Sequence, residues 1–438
     1  MTVNHARVRR ITVLVVEPGP LEGEVRAPPS KSYTHRALLA GLIAHGRSII
    51  WNPLESGDTL ATVELVRAMG GQVEWGIEVA RVTSEGPRWV RPSTNCRESG
   101  TTLRLGVGVA SLLDKPFILY GEGRLNKRPI RPLLDSLAML GASFLDTGGY
   151  PPVAVKGPIG PGSAAIDAGE SSQFLSALLM AVSGVEGSVE VRVERLSSKG
   201  YVDATVEVLE AYGARIERDG YRWFHVEGPL KASTYYIPGD WSSAAAILAI
   251  TAGTGGRARV LGLRYPDPQP DSRIVEVLEA YGARVTVGGG WVEVEGGKLD
   301  GIEVDVDESP DLAPVVAALG AVACGETRIC GITRLRVKES DRVATILGLL
   351  GDAGIEARMN GECIAVRGAC DVLEGGYTLD SRGDHRIAMA AALLALASRK
   401  GGLVRSWRSV DKSYPAFWRD LERLGARIHV QGQDPNTS

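Results

Sequence analysis

Lysine is scarce in this chain, ten among 49 basic residues, so each lysine inside a motif is informative. Arginine carries the rest, a usage that fits either base composition or a hot environment. Cysteine is rare too. The five present, Cys96, Cys324, Cys330, Cys363 and Cys370, form no C-x-x-C pair and no metal-ligand spacing. An odd number suits a reducing compartment better than a disulfide framework, which predicts free, buried thiols. Long apolar runs are also lacking. The ITVLVV stretch at Ile11–Val16 is cut off by Glu17 and Pro18, too short for the apolar core of a secretory signal, and IAMAAALLALA from Ile387 falls well short of the ~18 residues needed to span a bilayer. The expectation is a cytoplasmic chain with no membrane contact. Charge of one sign is missing as well: a formal net charge of −3 excludes the broad basic footprint of a nucleic-acid binder, leaving any local basic site to be found residue by residue. What the 438 residues do have is a 44% apolar fraction, enough to bury the cores of roughly two to four domains.

They also hold a repeat. VEVLEAYGARI (Val206–Ile216) returns almost unchanged as VEVLEAYGARV (Val275–Val285), and weaker forms bring the copies to six, pivoting on Gly70, Gly141, Gly213, Gly282, Gly354 and Gly425. The spacings are 71, 72, 69, 72 and 71 residues. Each copy is an amphipathic helical pattern that ends on a glycine suited to the left-handed C′ position and runs into a strand signal. A second set of six keeps the same phase: KSYTHRALLAGLIA, SGTTLRLGVGVASLL, SSQFLSALLMAV, GDWSSAAAILAI, SPDLAPVVAALGAVA and GDHRIAMAAALLALA. These are apolar nearly all round behind a polar first turn, which predicts buried helices whose starts alone approach water. The unit is therefore strand, buried helix, strand, amphipathic helix and further strands, with RVTVGGGWVEVEGG at Arg284–Gly297 a hairpin candidate. Six units of about 70 residues are too large for a thin solenoid and suggest two pseudo-symmetric lobes of three.

Polar side chains at helix starts have an ordinary explanation, since Ser, Thr and Asp are preferred N-caps. Capping does not account for Lys31, Arg36, Arg104 and Arg386 in the first or second turn, where the helix dipole disfavours cations. An anion in front of those helices resolves the conflict. The connection before the amphipathic helix adds charge in several units: Arg124, Lys127 and Arg128 in GEGRLNKRPI, Arg334, Arg336, Lys338, Glu339, Asp341 and Arg342 in RLRVKESDR, and Asp411 and Lys412 in SVDKSYP. Any one could be a solvated loop, but their equivalent placement predicts a shared basic cleft. Within it Asp311, behind Ser309 and Pro310, and Glu339, beside Lys338, are either salt-bridge and capping residues or an acid–base pair. Neighbouring cations lower a carboxyl's pKa and desolvation raises it, so the balance decides the role.

At these residues the chain resembles the 5-enolpyruvylshikimate-3-phosphate synthases along nearly its whole length. The motifs are PSKSYTHRALLAGLIA, SGTTLRL, GEGRLNKRPI, SSQFLSALL, SSKGYVDAT, PGDWSSAA, PDLAPVVAAL, RLRVKESDR, GDHRIAMA and DKSYPAFW, in order and in register with the repeat. The resemblance implies an α/β fold of two lobes, each of three βαβαββ units, with the N-termini of the buried helices facing the interlobe cleft. Lobe I would take residues 1–28 and 239–438 and lobe II residues 29–238, the chain crossing near 28 and 238. The implied reaction moves the enolpyruvyl group of phosphoenolpyruvate to the 5-hydroxyl of shikimate 3-phosphate and releases phosphate. It implies no metal or organic cofactor, no nucleic-acid partner, and a monomer. Carried over residue by residue, Lys31 would touch both substrates, while Ser32, Arg36, Ser171, Ser172, Gln173, Ser198, Asp311 and Lys338 would hold shikimate 3-phosphate. Phosphoenolpyruvate would lie against Gly100 and Gln173, clamped by Arg124, Arg342, Arg386 and Lys412. Gly100 has a physical reason as well, because a side chain there would fill space a small ligand needs. Asp311 would be the base for the 5-hydroxyl, and Glu339, with Lys31, would protonate the methylene carbon.

Three positions depart from the family pattern. Glu98 stands where a neutral Asn is common, which calls for a cation such as Arg97 beside it. Leu105 replaces a frequent proline, a change expected to soften the helix start. Arg334 replaces a smaller polar residue, so no shikimate contact is carried over to it. The related enolpyruvyl transferases that act on UDP-N-acetylglucosamine share the fold but carry a cysteine on the loop equivalent to GEGRLNKRPI, which has none here. A non-enzymatic binder of anions or RNA ends, built on related repeats, is the alternative from another class; no basic stripe or nucleotide-binding lysine loop speaks for it.

Overall fold

The computed structural model describes residues 12–432. Among them run twelve α-helices: α1 (Lys31–Ile43), α2 (Gly57–Ala68), α3 (Gly100–Ala110), α4 (Arg131–Met139), α5 (Ser172–Val182), α6 (Gly200–Ala211), α7 (Trp241–Gly253), α8 (Ile274–Tyr281), α9 (Ala313–Val322), α10 (Arg342–Asp352), α11 (His385–Leu396) and α12 (Phe417–Arg423). The odd-numbered helices are the apolar set and the even-numbered the amphipathic set. Every residue of α7 from Trp241 to Ala252 is buried, as is every residue of α11. Small residues let such helices pack closely: a Cβ on Gly108 of α3 would stand 2.4 Å from Ala177 O of α5. The amphipathic helices end at the six pivotal glycines, all of them left-handed, with φ from 68° at Gly354 to 105° at Gly141. A side chain is strained in that region, so the repeat is written in glycine.

The strands form six four-stranded sheets on one plan. Ser93–Asn95 and Phe117–Tyr120 pair in parallel on either side of α3 in sequence, and Ser143–Leu145 and Val153–Lys156 add an antiparallel hairpin. Phe117 and Leu119 are buried while Ile118 and Tyr120 are exposed, the period-two pattern of a sheet with one dry face. The expected hairpin forms between Arg284–Gly288 and Trp291–Glu295.

Two strands are exchanged between units. Glu22–Arg26 leads into α1 yet pairs with Arg257–Leu261, the strand after α7. Thr234–Tyr236 leads into α7 yet pairs with His45–Trp51, the strand after α1. The two crossing segments bind each other, Ser30 N donating to Pro238 O and Asp240 N to Pro28 O, each at 2.8 Å. Buried apolar residues form two clusters, one drawn from Leu14–Ala27 and Trp241–Ala426, the other from Tyr33–Ile237. Thr12–Val16 completes the sixth sheet by inserting between Gly402–Arg405 and Ile428–Gly432. Residues 1–11 and 433–438, assigned to lobe I from sequence, lie outside the described residues. No helix among the described residues is long and apolar enough to cross a membrane.

The cysteines overturn the expectation of free thiols. Cys324 pairs with Cys370 and Cys330 with Cys363, leaving Cys96 as the free, buried one. Cys330 and Cys363 stand at adjoining ends of antiparallel strands whose register runs to Ile329↔Ile364, so the sheet sets them opposite each other. Cys370 N donates to Ala323 O (3.2 Å), which brings its side chain to Cys324. Sequence separations of 46 and 33 hold no local spacing signal, and the odd count misled because a single thiol is left over.

Candidate active site

The starts of α1, α3 and α5 bring Lys31, Thr101 and Ser172 to one cavity, and the turn before α9 brings Asp311 to it from the opposite lobe. The starts of α7 and α11 join behind Asp311, where Arg386 Nη1 donates to Ser242 O (2.7 Å) and Nη2 lies 3.8 Å from Asp311 Oδ2. Caps are present as well: Ser99 Oγ accepts from Thr102 N (3.1 Å), Asp240 Oδ1 from Ser243 N (2.7 Å) and Asp384 Oδ1 from Arg386 N (2.9 Å). Capping thus accounts for the hydroxyls and carboxylates and leaves the cations to be explained.

The wall built by lobe II is basic. Arg36 is 2% exposed, and its guanidinium meets neutral oxygens: Thr205 Oγ1 (2.8 Å), Ser32 O (2.9 Å), Tyr201 O (3.0 Å) and Ser176 Oγ (3.3 Å). Arg104, also buried, donates to Gln173 Oε1 (2.9 Å), Pro129 O (3.1 Å) and Ser171 Oγ (3.3 Å). Neither has a carboxylate partner among the described residues, and burial pulls their pKa values down to about 10 and about 9. A buried cation in that position gains most from an incoming anion. Gln173 Nε2 donates to Thr101 Oγ1 (3.1 Å), tying α5 to α3. For Lys31, burial pulls the pKa down, but Asp58 at 2.9 Å and nearby Glu339 outweigh it, and the ammonium is held above its ordinary value.

The wall built by lobe I is an ionic lattice around buried Arg342. Its Nε donates to Asp384 Oδ2 (3.0 Å), Nη1 to Asp311 Oδ1 (2.6 Å) and Nη2 to Glu339 Oε2 (2.8 Å). Lys338 Nζ is 3.7 Å from Asp311 Oδ1. Burial by itself would raise Asp311 and Glu339; Arg342 and the other cations reverse the sign and hold both carboxyls well below the usual range. Lys338 goes the other way: burial, with Arg342 and Arg334 close by, outweighs the two acids and brings it down to about 8.

Side chains bridge the walls. Arg128 Nη1 is 3.4 Å from Glu339 Oε1, Arg334 Nη2 donates to Ser198 Oγ (3.0 Å), and Lys412 Nζ is 2.7 Å from Glu98 Oε2. The space between them is about 80 Å3. Ligand pockets usually measure ~300–1,000 Å3, so the walls must part to admit a substrate.

Most residues expected from sequence converge here. Lys31, Ser32, Arg36, Ser171, Ser172, Gln173, Ser198, Asp311, Lys338 and Glu339 line the cavity, with Arg342 and Arg386 directly behind Asp311. Lys412 stands apart from that lining, held between Glu98 and Gly383 O (3.0 Å). Arg124 is exposed on the 3-10 turn Gly123–Lys127 and is not among the residues that line the cavity, while Arg128, at the end of that turn and 7% exposed, is. Gly100 also has a cause the sequence did not reveal, since a Cβ there would sit 2.4 Å from Arg128 Nη1. Tyr201, Thr101 and Asp384 were passed over, although SSKGYVDAT, SGTTLRL and GDHRIAMA contain them. Of the departures, Glu98 is neutralised across the cleft by Lys412, whereas Arg97 turns to Gly57 O (3.4 Å). Helix α3 runs unbroken from Gly100 with Leu105 buried inside it. Arg334 binds Asp307 Oδ1 (2.9 Å) and lines the cavity after all.

Known proteins resemble the chain over nearly its whole length. The chain is 48% identical to the 3-phosphoshikimate 1-carboxyvinyltransferase of Aeropyrum pernix over 95% of its own length and 96% of the relative's, and 40% identical to that of Methanoculleus marisnigri over 93% and 98%. Among solved structures, an EPSP synthase from Acinetobacter baumannii superposes with a TM-score of 0.82 at 26% identity, covering 96% of this chain and all of the other. An enolpyruvyl transferase from Streptomyces tendae shares the fold, with a TM-score of 0.76 at 20% identity over 97% of this chain. The family model for EPSP synthase (3-phosphoshikimate 1-carboxyvinyltransferase) matches residues 15–421, and with two lobes of repeated units closing on one ionic cleft, the chain belongs to that family.

Proposed function

We propose that this chain transfers the enolpyruvyl group of phosphoenolpyruvate to the 5-hydroxyl of shikimate 3-phosphate, releasing phosphate, by addition and elimination through a tetrahedral intermediate. The observation that carries this reading is the division of charge across the cleft. Lobe II offers Arg36 and Arg104 as buried cations with no acid partner among the described residues, and lobe I offers Asp311 and Glu339 locked to Arg342. Both substrates bring a carboxylate and a phosphate, which suit guanidinium forks and lysine point charges. Shikimate 3-phosphate would sit against Ser32, Arg36, Ser171, Ser172, Gln173, Ser198 and Lys338, with its 5-hydroxyl donating to Asp311. Phosphoenolpyruvate would take Lys31, Gly100, Arg124, Gln173, Arg342, Arg386 and Lys412, with Arg128 beside them on the cavity wall.

Glu339 is ionised at rest because Arg342 and Arg128 hold it down. When phosphoenolpyruvate claims those arginines, Glu339 loses its stabilising partners, its pKa rises, and it can carry the proton the methylene carbon receives. Fixed cations then face the charge that develops at C2, which lowers the barrier without reorganisation at the moment of reaction. We take the lobes to be residues 1–28 with 239–438, and 29–238, a division the two exchanged strands support. The enzyme would act in the cytoplasm as a monomer. Phosphate release is the test. Release with phosphoenolpyruvate and shikimate 3-phosphate, and none when UDP-N-acetylglucosamine replaces the acceptor, is the expected result; the reverse preference would overturn the assignment.

A further inference from the structure

Behind the cavity lies a carboxyl that the reaction as described does not use. Asp271, in the turn before α8, is 1% exposed. Its Oδ2 accepts a hydrogen bond from Ser242 Oγ; that Oγ lies 3.4 Å from Tyr201 Oη, and Tyr201 lines the interlobe cavity. Three hydroxyl and carboxyl groups thus form a chain from the cavity wall into the core of lobe I. The other oxygen, Oδ1, has no hydrogen-bond partner among the described residues. A buried carboxylate with one oxygen unpaired is costly, and the neutral acid much less so. The groups that face Asp271 are Asp311 and Asp240 on the acidic side, Arg386 on the basic side, and the hydroxyls of Ser242 and Tyr201. Burial first, then Asp311, outweighs Arg386 and pushes its pKa up to about 7. Tyr201 is pushed well above the ordinary phenol value by burial and by the same acids, so it stays protonated and can act as a relay.

Asp311 is different. Held ionised by Arg342 at 2.6 Å, Lys338 at 3.7 Å and Arg386 at 3.8 Å, it is well placed to orient a hydroxyl and poorly placed to keep a proton. We propose that Asp271 is the resting place of the proton that leaves the acceptor hydroxyl, reached through Tyr201 and Ser242. This rests on the function proposed above. In the addition, the C2=C3 π bond of phosphoenolpyruvate breaks as C3 takes the proton carried by Glu339, and the O–H bond of the 5-hydroxyl breaks as its oxygen bonds to C2. The proton passes first to Asp311, which accepts the hydroxyl's hydrogen bond but does not keep the proton, and from there to Tyr201 Oη on the same cavity; Tyr201 gives its own to Ser242 Oγ, and Ser242 gives its own to Asp271 Oδ2. Of these groups, only Asp271 ends in a changed protonation state. In the elimination, the C2–O bond to phosphate breaks, the methyl carbon returns its proton to Glu339, and the stored proton runs back along the same chain to leave with the phosphate. Asp271 touches no substrate; it positions the proton through its two neighbours.

The pH profile of kcat at saturating substrates tests this. Asp271 must be ionised to accept the proton, so the wild-type rate is expected to climb through a limb near pH 7. Asp271→Asn is expected to lose that limb and ~100-fold or more in kcat, within the range for general-base loss. Tyr201→Phe and Ser242→Ala, which keep Asp271 but cut the chain, are expected to lose the same limb, so the test survives if Asp271→Asn fails to fold. A protonated-carboxyl infrared band should titrate with the limb in wild type and in Tyr201→Phe, and be missing in Asp271→Asn. Turnover whose limb is unmoved in all three variants would overturn the relay alone; a wild-type enzyme that titrates in the infrared but releases no phosphate from these substrates would overturn the function and the relay together.

Discussion

Arg342 shows how the charges of this site are arranged residue by residue. One buried guanidinium serves Asp384, Asp311 and Glu339 through its three nitrogens, so each acid is fixed in place and kept ionised before any substrate arrives. Removing one acid's charge should therefore harm chemistry more than binding. Asp311→Asn and Glu339→Gln are each expected to lower kcat by ~10²–10⁴-fold, while calorimetry still detects shikimate 3-phosphate binding; near-normal turnover in either variant would remove its role. Lys338 gives a pH dependence of opposite sign to that of an acid. Its pKa is lowered to about 8, so it is charged below that pH and neutral above. Affinity for shikimate 3-phosphate should fall as pH rises through 8, and Lys338→Gln should bind weakly with no such step. At this scale the sequence was legible where a cation broke the dipole rule, as Lys31, Arg36, Arg104 and Arg386 did. It was not legible for Arg128: it stands four residues after Arg124 on one loop, and only the folded 3-10 turn leaves Arg124 exposed and sets Arg128 against the cavity.

Elements were the easiest scale to read, because helical and strand periodicities are local. The six glycines marked six helix ends, and the apolar stretches marked six buried helices. The disulfides escaped, because Cys330 and Cys363 become neighbours only after the sheet aligns its strands. Both bridges lie in the unit that carries Asp311, Lys338, Glu339 and Arg342, and both tie the chain before Lys338, Glu339 and Arg342 to the chain after them. Closing loops of 46 and 33 residues restricts the unfolded chain and is worth about 3–4 kcal/mol each in the chain-entropy picture. Reduction is accordingly expected to lower the melting temperature. Cys330→Ser with Cys363→Ser should lower it without reductant and make later addition of reductant less harmful. A melting temperature indifferent to reductant in the unsubstituted protein would show that the bridges do not restrain this unit.

Over the whole molecule, two cores meet across a gap spanned by two short crossing segments and a set of side-chain contacts. The crossings, Pro28–Ser30 and Pro238–Asp240, are hydrogen-bonded to each other and can serve as the pivot. Besides the contacts that line the cavity, two ion pairs join the lobes, Lys412 with Glu98 at 2.7 Å and Arg264 with Glu207 at 2.6 Å, the latter pair with both side chains more than 30% exposed. Exposed pairs of this kind contribute little and are screened by salt, so they hold a shut cleft only weakly. Closure then depends on substrates that neutralise both walls, since neither lobe alone holds the groups assigned to the reaction. One contact offers a clean probe. Gly200, at the start of α6, lies so close to the other lobe that a Cβ would stand 1.8 Å from Pro268 O. A methyl group there collides with backbone and cannot be accommodated by a rotamer change. Scattering should show the wild type contracting when shikimate 3-phosphate and phosphoenolpyruvate are added together, and Gly200→Ala contracting less, with turnover down at least ~10-fold if the closed arrangement is the reactive one. Each core is untouched by the change, so the variant should melt close to wild type. Superimposable wild-type profiles with and without both substrates would mean that the cleft does not work by closing, and a Gly200→Ala enzyme of normal rate would mean that this contact belongs to no step of turnover.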